Sequence, residues 1–364
     1  MKNADFAFIV HSRDRSDMLR KFPALKLMPK FFFDKLTMAL PPFVVSHISG
    51  LTTSAGKEAT GLVIGVPMTA QQLLENREKA GKKILQAVRL GKSKGASFVG
   101  LGAMTASLTR GGKDVMESIS DVYVTTGRTY TIKNIVEYVE YCVELFALNR
   151  EKITVGVVGA VGGIGSGTTI ALAQKGFKRF MLIDVERKIP HLHGHLERLN
   201  NLFPDLKINV SHKVESIKDC TIVVGATSAA DVVIHPHHVT PGTIIINDAQ
   251  PSDVSPEVLK TRNDVLVIEG GVLHAPGIDC HFNFGLMDKH NIFSCLAETL
   301  VLAHRNQKEH SSIGEFDLSF FKSIDDHGKK LGFKISKLQN EHGYVKDDFL
   351  SKFATIIASR NTDN

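Results

Sequence analysis

The sequence is poor in cysteine and has no long apolar run. Its four cysteines, Cys142, Cys220, Cys280 and Cys295, are scattered without a C-x-x-C pair, which argues against a disulfide framework or a zinc site. No run of about 18 apolar residues is present, so no membrane span is predicted. The amino-terminal MKNADFAFIVHSRDR has too short an apolar stretch for a signal peptide. We therefore expect a soluble, cytoplasmic protein with reduced thiols.

Basic residues are not gathered into the compact block that nucleic-acid-binding arms carry, so no nucleic-acid partner is expected. Lys and Arg number 44 against 38 Asp and Glu, which leaves a formal charge of +6. The composition, 43% hydrophobic and 23% charged, is that of a globular protein. Because 364 residues exceed one ordinary core, two domains are expected.

Apolar runs alternate with helical patterns in the first 150 residues. The runs at 6–10, 43–48, 59–67, 97–102 and 122–127 predict strands. Thr69 is a suitable N-cap for a helix that continues to about Leu90, with Gly91 at its end. A further helix is predicted from about Thr131 to Leu148. We therefore expect residues 1–150 to form an α/β substrate-binding domain.

Residues 151–290 have the pattern of a doubly wound sheet. Short β-branched runs at 153–158, 179–183, 208–210, 221–225, 243–247 and 265–268 are separated by helical stretches. Continuous apolar strands are typical of a parallel sheet that is buried on both faces. The expected fold class is α/β, with the substrate domain followed by this Rossmann domain. A helical carboxyl-terminal segment, 291–364, is expected to pack back on the first domain.

The strongest local motif is ITVGVVGAVGGIGS, a glycine-rich turn between a predicted strand and a predicted helix. In such turns the first glycine permits the bend, the second admits the pyrophosphate and the third lets the helix approach the sheet. The helix N-terminus adds N–H groups and a partial positive charge. A glycine-rich turn in a domain without a ligand is the alternative. The predicted phosphate-binding residues are Gly159, Ala160, Gly162, Gly163, Ile164 and Gly165.

Asp184 ends the next predicted strand, 19 residues after Gly165. A carboxylate there can bond the ribose hydroxyls of NAD and would repel a 2′-phosphate. Arg187 is close enough in sequence to attract that phosphate instead, so both NADH and NADPH remain candidate cofactors. Ala226 and Thr227, which follow the strand at 221–225, complete the predicted cofactor-binding set.

Cys295 lies in HNIFSCLAETLVLAHR, within a helix predicted from about residue 291 to 304. With Asn291 or Asp288 as the N-cap, the helix dipole would lower the pKa of the Cys295 thiol and favour the thiolate. On these residues alone, the more common role of such a cysteine is that of a small buried hydrophobe.

Eight motifs extend almost from end to end of the chain: FAFIVHS, PPFVV, REKAGKKILQAVRLGKSKGASFVGLGAMTA, VTTGRTYT, VGAVGGIGS, VIEGGVL, IFSCLAETLVL and FDLSFFKSIDDHGKKLGF. On these motifs the chain resembles the cyanobacterial long-chain fatty acyl-acyl carrier protein reductases, which form aldehydes. The resemblance implies that Cys295 accepts the acyl group as a thioester. It also implies NADPH, although Asp184-Val185-Glu186 departs from the family's small and basic residues there.

The positions of further residues in the sequence give them a predicted role in this reaction. The substrate is expected to be a fatty acyl thioester of acyl carrier protein or coenzyme A, bound near Gly102, Thr126 and Gly127, which end strands of the first domain. His274 is a candidate proton donor after a strand of the second domain. Glu298 is included in the catalytic set, with the orientation of its neighbours as its expected task.

Two other functions are compatible with the residues. A shikimate-type dehydrogenase would share the domain order and use a Lys/Asp pair, for which Lys57 is the available lysine. A cofactor-binding regulatory protein would bind the dinucleotide without turnover. Sensitivity of the activity to thiol alkylation separates the reductase from the dehydrogenase.

Overall fold

The computed structural model describes residues 4–229 and 232–362. In chain order its strands are β1 (Phe6–Ser12), β2 (Phe43–Thr52), β3 (Glu58–Thr69), β4 (Phe98–Leu101), β5 (Tyr123–Thr125), β6 (Thr154–Val158), β7 (Arg179–Ile183), β8 (Lys207–Ser211), β9 (Ile222–Gly225), β10 (Ile244–Asn247), β11 (Leu266–Glu269), β12 (Val272–His274), β13 (Asn291–Phe293), β14 (Lys334–Ile335), β15 (Gln339–Asn340) and β16 (Gly343–Tyr344).

Its α-helices are α1 (Arg15–Lys21), α2 (Lys30–Ala39), α3 (Ala70–Glu75), α4 (Arg77–Ser93), α5 (Met104–Ser107), α6 (Lys113–Ser118), α7 (Arg128–Leu145), α8 (Gly163–Gln174), α9 (Ile189–Leu202), α10 (Pro256–Thr261), α11 (Ser294–Arg305), α12 (Leu318–Lys330) and α13 (Asp347–Thr362). Among the described residues, no helix combines the length and the apolar character that crossing a membrane requires.

The chain divides into two compact units, each built from two separate segments. The first unit contains Met1–Tyr130 and Leu273–Lys334, and the second contains Thr131–Val272 and Ile335–Asn364. These boundaries differ from the expected segments 1–150, 151–290 and 291–364. The difference arises because residues 273–334 complete the core of the first unit, whereas the last helix, α13, belongs to the second unit.

The first unit is built on a five-stranded sheet of order β2-β3-β1-β4-β5. Strand β2 is antiparallel to β3, and the other neighbours are parallel. Helix α11 covers one face, where its buried Leu296 and Leu300 share a core with Phe8, Ile48 and other apolar residues of the sheet. The five strands predicted in this region are confirmed, with ends that differ by a few residues.

The helix predicted from Thr69 to about Leu90 is two helices in the structure. Thr69 is the N-cap of α3, as predicted, and forms a capping box with Gln72. The chain then breaks at Asn76 before α4 begins. Gly91 does not end the second helix, contrary to the prediction. It lies inside α4, where a side chain would stand only 3.0 Å from the Cβ atom of Ala7 on the sheet.

The second unit contains a six-stranded sheet of order β11-β10-β9-β6-β7-β8. All five neighbouring pairs are parallel. The chain therefore runs outward from β6 in one direction and from β9 in the other, the arrangement of a doubly wound Rossmann sheet. This confirms the predicted fold class. The topological switch lies between β6 and β9, whose carboxyl ends border the ligand crevice in folds of this type.

Candidate functional site

The glycine-rich turn connects β6 to α8, in the predicted order of strand, turn and helix. Gly159 adopts a left-handed φ of +87°, and its N–H donates to the carbonyl of Ile183 at 2.8 Å. A side chain on Gly159 would lie 2.7 Å from the carbonyl oxygen of Ala226, and one on Gly165 would collide with the carbonyl oxygen of Gly159. Gly162 is the N-cap of α8. The turn therefore forms a cradle of backbone amides that could hold a diphosphate.

Asp184 is buried beside this turn rather than extended into solvent. Its carboxylate accepts from the N–H of Val161 at 3.1 Å and from its neighbour Val185 at 2.9 Å, and it pairs with Lys188 Nζ at 3.2 Å. The carboxylate thus ties the end of β7 to the phosphate-binding turn. Arg187 is exposed. This geometry places a carboxylate where Rossmann proteins bind the adenosine ribose.

A second polar cluster follows β9 and β10, next to the topological switch. The backbone N–H of Thr227 donates to Asp253 at 3.0 Å, and its hydroxyl makes a short hydrogen bond to the same carboxylate. The N–H of Asp253 donates in turn to Asn247 at 3.3 Å. Ala226 donates its N–H to the carbonyl of Val158 at 3.0 Å, which joins the loop to the end of β6.

Asp248, the residue after β10, was missed in the sequence. Burial and the nearby Asp253 carboxylate raise the pKa of Asp248 to about 8, so its carboxyl group is protonated at neutral pH. The same burial raises the pKa of Asp253. The sequence indication was the polar pair Asn247-Asp248 directly after an apolar strand, since such positions meet the crevice of a parallel sheet.

Cys295 is the second residue of α11 and is half-buried in the first unit. The predicted helix start at residue 291 is wrong, because residues 291–293 form β13 and Phe293 is the N-cap. Phe293 itself makes no side-chain capping bond. The sulfur therefore lies closer to the helix N-terminus than expected, where negative charge is favoured.

Gly127, at the end of β5, packs directly against Cys295. Its φ is +70°, and a side chain there would collide with the Cα and Cβ atoms of Cys295. The other cysteines, Cys142, Cys220 and Cys280, are buried, and burial raises the pKa of each of these thiols to about 12. They are unsuited to act as nucleophiles.

Glu298 lies one turn after Cys295 and has no exposed surface. It accepts the N–H of Tyr130 at 2.9 Å and the hydroxyls of Ser312 at 2.5 Å and Ser311 at 3.3 Å. It also accepts a short hydrogen bond from the hydroxyl of Thr125. One carboxylate in the second turn of α11 therefore fastens this helix to the loop that contains Gly127.

The remaining predicted residues have other neighbours. Thr126 donates its hydroxyl to the carbonyl of Ser312 at 2.7 Å, close to the Glu298 cluster. Gly102 follows β4, where a side chain would lie 3.0 Å from the carbonyl oxygen of Ile9. The ring of His274 lies edge-on to His290, with the ring centroids 6.0 Å apart. His274 is in β12, the strand next to β13, which leads into α11.

Comparison with known proteins gives two distant sequence relatives. The chain is 27% identical over 312 residues to aminotransferase PigE of Serratia sp. (strain ATCC 39006). This alignment covers 82% of this chain but only 35% of PigE. The chain is 24% identical over 309 residues to the long-chain acyl-[acyl-carrier-protein] reductase of Synechococcus elongatus, covering 81% of this chain and 87% of that protein. No family model matches the chain.

Among solved structures, shikimate 5-dehydrogenase from Listeria monocytogenes, in complex with shikimate and NAD, aligns with a TM-score of 0.39. The sequence identity is 9%, and the alignment covers 88% of this chain and 96% of the dehydrogenase.

Proposed function

We propose that this protein is an NAD(P)H-dependent reductase that converts a fatty acyl thioester to an aldehyde through a thioester on Cys295. The observation that carries the proposal is the position of this half-buried sulfur in the first turn of α11, against the side-chain-free Gly127. Helix N-termini favour reactive thiolates. The sequence relation to the Synechococcus elongatus reductase supports the same chemistry.

The residues of the turn fit a dinucleotide because the three glycines put no side chain beside the N-terminus of α8, and a side chain on Gly159 or Gly165 would collide with a backbone carbonyl oxygen. The turn from Gly159 to Gly165 would hold the diphosphate, and Asp184 would bond the adenosine ribose, since each carboxylate oxygen can accept more than one hydrogen bond. Thr227 would border the nicotinamide side of the crevice. When bound, the nicotinamide supplies a hydride to the acyl carbon.

Acylation begins when the Cys295 sulfur attacks the thioester carbonyl carbon. A new C–S bond forms, the bond to the carrier sulfur breaks, and the carrier thiolate leaves and takes up a proton. N–H groups in the first turn of α11 stabilise the oxyanion in this step and after reduction. The reduced oxyanion then collapses, the bond to Cys295 breaks, and the aldehyde and the Cys295 thiolate are released. One proton is consumed in each turnover.

The experiment that tests the proposal measures aldehyde release and NAD(P)H oxidation with acyl thioesters of acyl carrier protein and of coenzyme A. Aldehyde formation is expected, and alkylation of the protein's thiols is expected to abolish it. Oxidation of a small hydroxy acid that survives thiol alkylation would instead favour the shikimate-type dehydrogenase. Cofactor binding by calorimetry without any hydride transfer would favour the regulatory protein.

We propose that Asp248 donates the proton that the leaving carrier thiolate takes up in the acylation step, with His274 as the alternative donor. Because the raised pKa keeps Asp248 protonated below about pH 8, kcat is expected to fall as the pH rises through that value. Asp248→Asn is expected to lower kcat roughly 10²-fold and to remove this alkaline fall. His274→Gln is the matched variant. If the pH profile of kcat changes only in His274→Gln, His274 and not Asp248 is the proton donor.

Gly162 provides a test of the phosphate cradle. Gly162→Ala is expected to raise the Kd of the dinucleotide about tenfold, because a methyl group obstructs the approach of the pyrophosphate. Gly194→Ala is the control, since a side chain there meets no atom within 4 Å. Titration of NADH fluorescence measures both. Equal affinity of the two variants for the dinucleotide would show that the turn does not contact the pyrophosphate.

A further inference from the structure

The segment between β1 and β2 carries large apolar side chains on its outside. Leu27 is 92% exposed, Phe31 60% and Phe32 61%, and Phe22 adds a smaller exposed area. We call these four residues the apolar patch. Neighbouring exposed apolar side chains of this size mark interaction surfaces more often than ordinary protein surface.

The exposure of the patch is built into the fold. The opposite side of α2 is anchored by Phe33 and Thr37, which are buried. The guanidinium of Arg15 donates to the carbonyls of Leu25 at 3.1 Å and Met28 at 2.5 Å, which holds the turn before α2. Leu27 and Phe31 therefore point outward while their own segment is fixed from beneath.

The segment that carries the apolar patch is rich in basic residues, of which Arg20 is paired with Asp17 at 2.7 Å. Residues 20–40 contain five basic residues and one acidic residue, Asp34, whose carboxylate accepts from Gln72 Nε2 at 3.2 Å. The ammonium group of Lys35 lies 4.3 Å from the centre of the Phe31 ring. Aromatic and aliphatic groups beside lysines are the combination that binds an anionic lipid interface. The basic residues are Arg20, Lys21, Lys26, Lys30 and Lys35.

We propose that the apolar patch inserts into the surface of an anionic phospholipid membrane, with the lysines of this segment at the level of the headgroups. Leu27 extends almost clear of the protein, and a bilayer accepts a protruding side chain without a complementary cavity, whereas a protein partner would have to supply one. The lysines add attraction to the anionic lipid. This membrane contact is independent of the proposed reaction, because none of these residues belongs to the candidate functional site.

The experiment uses the absence of tryptophan from the chain, which makes an introduced tryptophan the only one in the protein. In Phe32→Trp, phosphatidylglycerol-containing vesicles are expected to shift the emission to shorter wavelength, and brominated lipids to quench it. Leu202→Trp, at an exposed site on α9, is the control and is expected to keep its emission. Unchanged emission of Phe32→Trp with these vesicles would overturn the proposal.

Vesicle sedimentation of the full chain gives the matching affinity test. The triple variant Leu27→Ser/Phe31→Ser/Phe32→Ser is expected to bind at least about tenfold more weakly, and Leu202→Ser to bind as the unaltered protein does. The affinity of Lys26→Gln/Lys30→Gln/Lys35→Gln for phosphatidylglycerol vesicles is expected to fall roughly tenfold. Equal binding of all variants would overturn the proposal. So would an emission change in Phe32→Trp caused only by acyl carrier protein or by self-association. Vesicle binding and tryptophan emission are measured without the reaction, so both tests hold even if the protein forms no aldehyde.

Discussion

Cys295→Ala is expected to lower the rate of aldehyde release by roughly 10³-fold or more, because the acyl group then has no covalent acceptor. Cys295→Ser is expected to be nearly as slow, since a hydroxyl in the same position is a much weaker nucleophile at neutral pH. Both variants should fold normally, because the side chain is half-buried and the change in volume is small. Rates with NADH and NADPH, measured beside dinucleotide affinity, separate the lost chemistry from lost binding.

Intact-mass measurement after mixing with acyl thioester gives the direct evidence for this prediction. One acyl adduct is expected on the unaltered protein without reductant, and none on either Cys295 variant. The three other cysteines act as an internal control, because they are buried and burial raises their pKa to about 12. Full activity in both variants would rule out the covalent route. An adduct that persists in Cys295→Ala would assign the thioester to another residue.

Glu298→Ala is expected to lower the free energy of unfolding by about 3 kcal/mol or more. The substitution removes the acceptor of the Tyr130 N–H and of three hydroxyl groups inside the core of the first unit. Buried donors without an acceptor carry their full desolvation penalty. Urea unfolding measures the loss. Glu309→Ala, on an exposed side chain, is the control and is expected to change stability by less than about 0.5 kcal/mol.

Glu298→Gln separates a positioning role from a purely structural one. Glutamine keeps the shape of the side chain and one acceptor oxygen, so the protein is expected to remain folded. If Glu298 sets the position of Cys295, kcat and the alkylation rate of Cys295 fall together while KM stays close to that of the unaltered protein. Unchanged alkylation and kcat in a folded Glu298→Gln protein would limit this carboxylate to stability.

The conformation of the glycine-rich turn could be predicted from the sequence because its geometry is local. Glycines at 159, 162 and 165 between an apolar strand and an apolar helix determine the bend and the approach of the helix within a few residues. The six strands of the second sheet were predictable for a similar reason, since strands buried on both faces are continuous apolar runs.

The surroundings of Cys295 could not be read in the same way. Residues 291–293 look like the first turn of an apolar helix, yet they form a strand because they pair with β12, which lies before them beyond a loop. The contacts of Glu298 join residues more than 160 positions apart, and no local pattern encodes them. Asp248 was missed because its protonation depends on burial and on Asp253, which only the folded chain brings together.

The division of the first unit into two chain segments has a consequence for biosynthesis. The strands of its sheet emerge from the ribosome first, but α11, which covers Phe8 and its neighbours, is translated only after the entire Rossmann sheet. Nascent chains therefore carry an uncovered apolar sheet face until residues near 300 are available, a period in which chaperones bind such surfaces. A fragment ending at residue 150 would keep that face permanently open, and the amino-terminal half cannot serve as an autonomous module.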